Sequence, residues 1–178
     1  MRIIGGHIKG VRLSPPTNLP VRPTTDLAKE ALFNILENSV TWDETDALDL
    51  FSGTGNISLE LASRGVRSVL SVEVHGKCCA YINTQKSKYH LEQMKIVKAD
   101  VLKFITTCRQ SFDFIFADPP YDLPQLPLLP KLLFDHNLVR QNGLFVLEHP
   151  TTRKVSQHPN FVEQRSYGYS SFSFFECS

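Results

Sequence analysis

A doubly wound α/β fold, with a mostly parallel sheet covered by helices on both faces, follows from three features of the sequence. From Ala47 onward, short apolar runs suited to strands alternate with segments patterned as helices. The strand-like runs are apolar at consecutive positions, as expected of strands buried on both sides. The chain then closes on two β-rich pieces about Gly168 with no room for a crossover helix between them, so that pair must run antiparallel.

Taken in order, the opening "MRIIGGHIKGVRLSPP" has β-favouring pieces at Arg2 to Ile4 and Ile8 to Leu13 around Gly5-Gly6. The breakers Pro15, Pro16 and Pro20 follow. This predicts a small N-terminal β extension, a hairpin or extended arm over residues 1–22, on a single domain of residues 1–178. "RPTTDLAKEALFNILENSV" reads as a helix with Thr24 or Thr25 as N-cap and Asp26 at its positive end. Leu27, Ala31, Leu32, Ile35 and Leu36 form its apolar stripe, read as core packing. "ALDLF" is a strand, Asn56 to Ser63 a helix, "SVLSVE" a strand, and His75 to Tyr89 a helix. "MKIVKA" is a strand, Val101 to Cys108 a short helix, and "FDFIFA" the fourth strand. Leu126 to Phe134 is helical after a proline-rich loop, "GLFVLEH" is the fifth strand, and "FVEQRSYGYSSFSFFE" is the closing hairpin.

Composition narrows the classes. A hydrophobic content of 42% argues against disorder. No apolar run approaches the roughly 20 residues that a membrane-spanning helix needs. The first residues lack the apolar stretch of a signal peptide, so a cytoplasmic protein is expected. Cys78, Cys79, Cys108 and Cys177 show neither a CxxC pair nor zinc spacing, so no metal is expected. Net charge is only +1, but Arg2, Lys9, Arg12 and Arg22 fall in the first 25 positions without an acid. Lys77, Lys86, Lys88, Lys95, Lys98 and Lys103 form a second basic region. Such edges suit either phosphates or an ordinary solvated face.

"ALDLFSGTGNIS" places Asp49 inside the first core strand and Gly53 and Gly55 in the turn after it, ahead of a helix N-terminus. Glu73, at the end of the second strand, stands where an acceptor takes the hydroxyls of a ribose. The third glycine of a dinucleotide fingerprint is replaced by Ser58, which disfavours an NAD-linked dehydrogenase. Asp100 and Asp118 project from the same sheet edge, although Asp100 also suits a helix N-cap. An acid-rich rim fits S-adenosylmethionine, which carries positive charge and no phosphate, better than it fits a dinucleotide.

"FADPPYD" closes the fourth strand. Pro119 and Pro120 fix their φ angles and donate no hydrogen bond, so nearby carbonyls stay available as acceptors in a stiff corner. Asp118 adds a carboxylate and Tyr121 a flat face. Together they suit a planar base amine, held by its two protons and stacked on the ring. The amine's lone pair is shared with the base, and binding both protons favours a more tetrahedral nitrogen for direct in-line methyl transfer. No covalent intermediate is required.

"RPTTDLAKEALFNIL", "LDLFSGTGNISLE", "VLSVE" and "FADPPY" together resemble the bacterial 16S ribosomal RNA guanine-N2 methyltransferase family, over essentially the whole chain. The resemblance implies a Rossmann-like class I methyltransferase sheet, S-adenosylmethionine as cofactor, and 16S ribosomal RNA in a small-subunit particle as partner. It implies that Asp49, Gly53 and Gly55 shape the cofactor loop, Glu73 holds the ribose and Asp100 lies near the adenine. Asp118, Pro119, Pro120 and Tyr121 then form the catalytic corner, with Asp118 also beside the cofactor. Arg2, Lys9, Arg12 and Arg22 of the basic arm are the expected RNA contacts. Leu27 departs from the arginine common in relatives, with Lys29 nearby. The tetrapeptide "DPPY" specifies amine methylation better than it specifies guanine, so adenine-N6 methylation is the main alternative, with a noncatalytic RNA-binding module as the non-enzyme reading.

Overall fold

The computed structural model describes residues 1–21 and 24–178. Its sheet is built from β1 (Asp46–Leu50), β2 (Ser68–Glu73), β3 (Met94–Lys98), β4 (Phe112–Ala117), β5 (Val139–Pro150), β6 (Phe161–Tyr167) and β7 (Ser170–Glu176). The spatial order is β3-β2-β1-β4-β5-β7-β6. Neighbours among β1 to β5 are parallel, while β7 runs antiparallel to both β5 and β6. This is the expected Rossmann-like α/β architecture, a mostly parallel sheet with an antiparallel C-terminal hairpin.

The helices are α1 (Asp26–Leu36), α2 (Asn56–Ser63), α3 (Gly76–Lys88), α4 (Val101–Thr107) and α5 (Leu129–Asp135). Because successive strand residues point to opposite faces, each strand feeds two cores. Ala47, Phe114 and Phe116 pack with Leu32, Leu61 and Ile82 of α1, α2 and α3. Leu48, Leu50, Ile115 and Ala117 pack on the other face with α4 and α5. Burial on both sides explains the continuous apolar runs.

Several boundaries differ from the sequence reading. The helix expected over Leu126 to Phe134 is a 3-10 turn, Leu126–Leu128, followed by α5, because Pro127 and Pro130 fit first turns and not helix interiors. β5 begins at Val139, well before Gly143. α1 ends at Leu36, short of the Val40 that closes the helical reading, while its start agrees: Thr25, one of the two expected caps, accepts from Ala28 N at 3.2 Å.

The apolar stripe assigned to α1 is rotated. Leu27 is 76% exposed, and the buried positions are Ala28, Lys29, Leu32, Phe33 and Leu36. Lys29 is carried inward by a counter-charge: its ammonium lies 2.9 Å from Glu60 Oε1 on α2, and both side chains are fully buried. Lys29 is therefore a buried packing residue and does not stand beside the exposed Leu27 as a surface cation.

The same carboxylate ties down the N-terminus. Glu60 accepts from Ile4 N and from Gly5 N, each at 2.8 Å, and from Arg64 Nε at 2.9 Å. The two β-favouring pieces pair as a short hairpin around one antiparallel bridge between Arg2 and Arg12: Ile3 N donates to Val11 O at 2.9 Å, Gly10 N to Ile3 O at 2.8 Å and Leu13 N to Met1 O at 2.9 Å. Ile3 and Leu13 are buried beneath the arm.

Candidate active site

The sheet order sets the location. The chain steps outward from β1 through β2 to β3, then returns across β1 to β4, so the loops leaving β1 and β4 diverge and open a crevice at their carboxyl ends. A cavity of about 770 Å³ occupies this crevice. That volume lies within the usual range for small-molecule sites.

The β1 loop forms one wall. Phe51 leaves the strand at φ 58°, a costly conformation for a bulky residue, and Gly53 follows at φ 57°. Gly53 N donates to Glu73 Oε1 at 2.9 Å, and His75 N donates to Glu73 Oε2 at 2.8 Å. The buried Glu73 carboxylate is thereby fixed at the end of β2, against the glycine turn. Gly55 stands behind the wall as the N-cap of α2, at φ 81°, where a Cβ would come within 2.8 Å of Ile82.

Asp49 anchors this loop from below. Its Oδ2 accepts from Ser58 N at 3.1 Å and from Ser58 Oγ at 2.6 Å, which ties β1 to the first turn of α2. Burial pushes its carboxyl up to about 7; the two Ser58 bonds oppose the shift and the Glu73 charge adds to it. Ser58, the departure from a dinucleotide fingerprint, is thus the partner that Asp49 requires.

The β4 loop forms the opposite wall. Asp118 N donates to Leu50 O at 3.3 Å, which fixes the corner to β1. Asp118 is half-buried and Pro119 buried. Tyr121 is also half-buried, and its hydroxyl bonds the Ser170 hydroxyl. Ser170 in turn donates to Glu148 Oε1 at 3.3 Å, while Thr24 Oγ1 donates to Glu148 Oε2 at 2.9 Å. The corner is therefore linked to β5, to β7 and to the residue before the α1 N-cap.

The structure brings together Asp49, Gly53, Glu73, Asp118, Pro119, Pro120 and Tyr121 around one cavity. Asp100 is exposed and outside the lining; its carboxylate accepts from Lys103 N at 3.1 Å as the N-cap of α4. Arg2, Lys9 and Arg12 are exposed on the arm, and none has an ion-pair partner among the described residues. Arg22 lies outside the described residues. Cys78 and Cys79 are buried in α3, and burial raises both thiols, Cys78 to about 11. Among the described residues no cluster of side chains suits a metal ion.

Sequence reasoning missed Glu148 and the hairpin turn at Gly168 and Tyr169, all of which line the cavity. Glu148 had a legible signal: it is an acid near the end of an apolar parallel strand, the same pattern that selected Glu73 and Asp118. The lining holds four carboxylates, Asp49, Glu73, Asp118 and Glu148, and no lysine or arginine among the described residues. Such a cavity is matched to a cationic ligand and poorly matched to a pyrophosphate. The acceptors and glycine turn fit S-adenosylmethionine.

A family model described as "Conserved hypothetical protein 95" matches residues 1–176. The chain belongs to this family. One relative, "Ribosomal RNA small subunit methyltransferase D" of Buchnera aphidicola subsp. Baizongia pistaciae, is 29% identical over 161 residues, which cover 90% of this chain and 82% of the relative. The solved structure of a hypothetical protein from Thermus thermophilus is 29% identical, with a TM-score of 0.86 and 99% of each chain covered. A T. thermophilus 16S rRNA N2 methyltransferase solved with AdoMet and guanosine is 21% identical, with a TM-score of 0.74 over 100% of this chain and 49% of its own. That last likeness is one of fold. The family member described here is related to S-adenosylmethionine-dependent methyltransferases, and its fold is theirs.

Proposed function

We propose that this protein transfers a methyl group from S-adenosylmethionine to the exocyclic N2 of one guanine in 16S ribosomal RNA, acting in the cytoplasm on a small-subunit particle. The observation that carries the reading is the Asp118-Pro119-Pro120-Tyr121 corner, which faces the same acid-lined cavity as Glu73 and the Gly53 turn. Further support comes from relatives that bear the name of small-subunit ribosomal RNA methyltransferases.

S-adenosylmethionine, when bound, supplies a sulfonium methyl group as electrophile. Glu73 and the Gly53 turn hold its nucleoside end. Asp118 and the Pro119 carbonyl accept the two protons of the guanine amine, which turns the nitrogen lone pair toward the methyl. Tyr121 stacks on the extruded base, its hydroxyl held by Ser170. As the nitrogen–carbon bond forms, the sulfur–methyl bond breaks with its electron pair left on sulfur as a neutral thioether, the amine becomes acidic and Asp118 takes its proton. Positioning and electrostatics carry the rate, and no enzyme nucleophile takes part. Arg2, Lys9, Arg12 and Arg22 grip phosphates, with residues 1–22 acting as an arm on a single methyltransferase domain.

The test is transfer of labelled methyl from S-adenosylmethionine to small-subunit particles from cells lacking the enzyme, with naked ribosomal RNA and adenine-containing DNA alongside. Label recovered as N2-methylguanosine, and lost with Asp118→Ala, is the expected result. Methylated adenine would replace guanine with the adenine-N6 reading; bound cofactor without any transfer would leave a binding module.

A further inference from the structure

The β6–β7 hairpin presents a feature that the fold does not need. Tyr167 pairs with Ser170, so Gly168 and Tyr169 form a two-residue turn. The backbone on both sides is braced. Tyr169 O accepts from Thr151 N at 3.1 Å, Ser170 is bonded to Tyr121, and the Tyr167 ring packs 5.8 Å from that of Phe172. Yet Tyr169 is 89% exposed at the cavity mouth, the most exposed of the large hydrophobic side chains among the described residues. A rigid turn is holding an aromatic face in water next to the catalytic corner.

We infer that Tyr169 stacks on a nucleobase flanking the target guanine and holds the RNA strand at the mouth of the cavity, an inference that rests on the proposed function. The target base must leave its stack to reach Asp118, and its neighbours lose a stacking partner at that moment. A flat ring on the rim replaces that partner. Tyr121 then serves the reacting base inside and Tyr169 the adjacent base outside, the two coupled through Ser170. Stacking tolerates any base, so this contact adds affinity and register without reading sequence. Contacts of this kind are worth roughly fivefold to hundredfold in affinity per base.

The experiment is steady-state methyl transfer to small-subunit particles from cells lacking the enzyme, comparing wild type with Tyr169→Ala, Tyr169→Leu and Tyr169→Phe. Because the ring is exposed, all three should melt with wild type and bind S-adenosylmethionine equally well. The expected result is a KM for particles raised about tenfold or more in Tyr169→Ala and Tyr169→Leu at little-changed kcat, with Tyr169→Phe restoring the wild-type value. A wild-type KM in Tyr169→Ala, or recovery by Tyr169→Leu as full as by Tyr169→Phe, would overturn the stacking role alone. A wild-type protein that methylates no guanine would overturn the proposed function and this inference with it.

Discussion

Removing the Glu60 carboxylate is expected to cost this protein much of its stability and to loosen its N-terminal arm. Glu60 is fully buried and receives Lys29 Nζ at 2.9 Å, Arg64 Nε at 2.9 Å, and the amides of Ile4 and Gly5 at 2.8 Å each. In Glu60→Ala, Arg64 keeps Glu37 at 2.8 Å, but among the described residues the buried Lys29 ammonium keeps only the Arg2 carbonyl and Asn56. Breaking a buried ion pair by deleting one partner costs about 3–5 kcal/mol. Water can reach the half-buried Ile4 and Gly5 amides, so they add little. At about 2–4 °C per kcal/mol for a domain of this size, Tm should fall by roughly 6–20 °C. Hydrogen exchange at Ile4 and Gly5 should accelerate in parallel. Replacing both charges, as Lys29→Met with Glu60→Leu, should recover much of the loss because no buried charge is left unpaired. A Glu60→Ala protein that melts within about 2 °C of wild type, or a double variant no better than the single one, would refute the argument.

Three further outcomes are expected. Gly55→Ala must adopt φ 81° and press a Cβ to within 2.8 Å of the buried Ile82, for about 2–4 kcal/mol by urea titration, whereas Gly53→Ala meets only ordinary contact with Val21 and loses about 1 kcal/mol; equal losses would contradict this reading. Asp49 ordinarily titrates near 3.8 but at about 7 when folded, so the native state holds the proton more tightly and stability falls as pH rises between those values, by up to about 4 kcal/mol; Asp49→Asn should remove that slope in denaturation curves measured from about pH 4 to 8. Asp118→Ala should lower kcat by about 100-fold or more with S-adenosylmethionine affinity little changed, and Asp118→Asn, which keeps one acceptor, should lose less; equal loss would argue against amine binding there.

Much of the fold was legible because burial on both sheet faces writes itself as consecutive apolar residues, and the limits of α2, β2 and β4 match the sequence reading. The glycine turn, Glu73 and the DPPY corner were legible for a related reason: polar residues at the ends of apolar parallel strands all reach one sheet edge. The misreading of α1 has a packing cause. The periodicity of α1 marks apolar residues as buried and lysine as exposed, and the Lys29–Glu60 pair reverses both, bringing Lys29 inward and leaving Leu27 in solvent. No spacing rule relates positions 29 and 60, so only the packed structure reveals it. Asp100 had two readings in sequence, and the structure realises the helix cap.

The antiparallel hairpin has a consequence for the site that a wholly parallel sheet could not supply. Strands β1, β2, β4 and β5 all end at the edge where the cavity lies, so a further parallel strand would begin at the far edge. β7 instead starts where β5 ends, with Ser170 opposite Pro150, and runs back to place Glu176 opposite Leu144. The β6–β7 turn is thereby delivered to the cavity edge, beside Glu148 and within bonding reach of Tyr121. Two properties then follow from one reversal of direction. The outer strands continue the sheet and bury Phe172 and Phe175, while their turn supplies a wall to a crevice that the parallel strands leave open on that side. The Tyr169 ring sits at the end of that wall, which is why its replacement should alter substrate affinity without altering the fold.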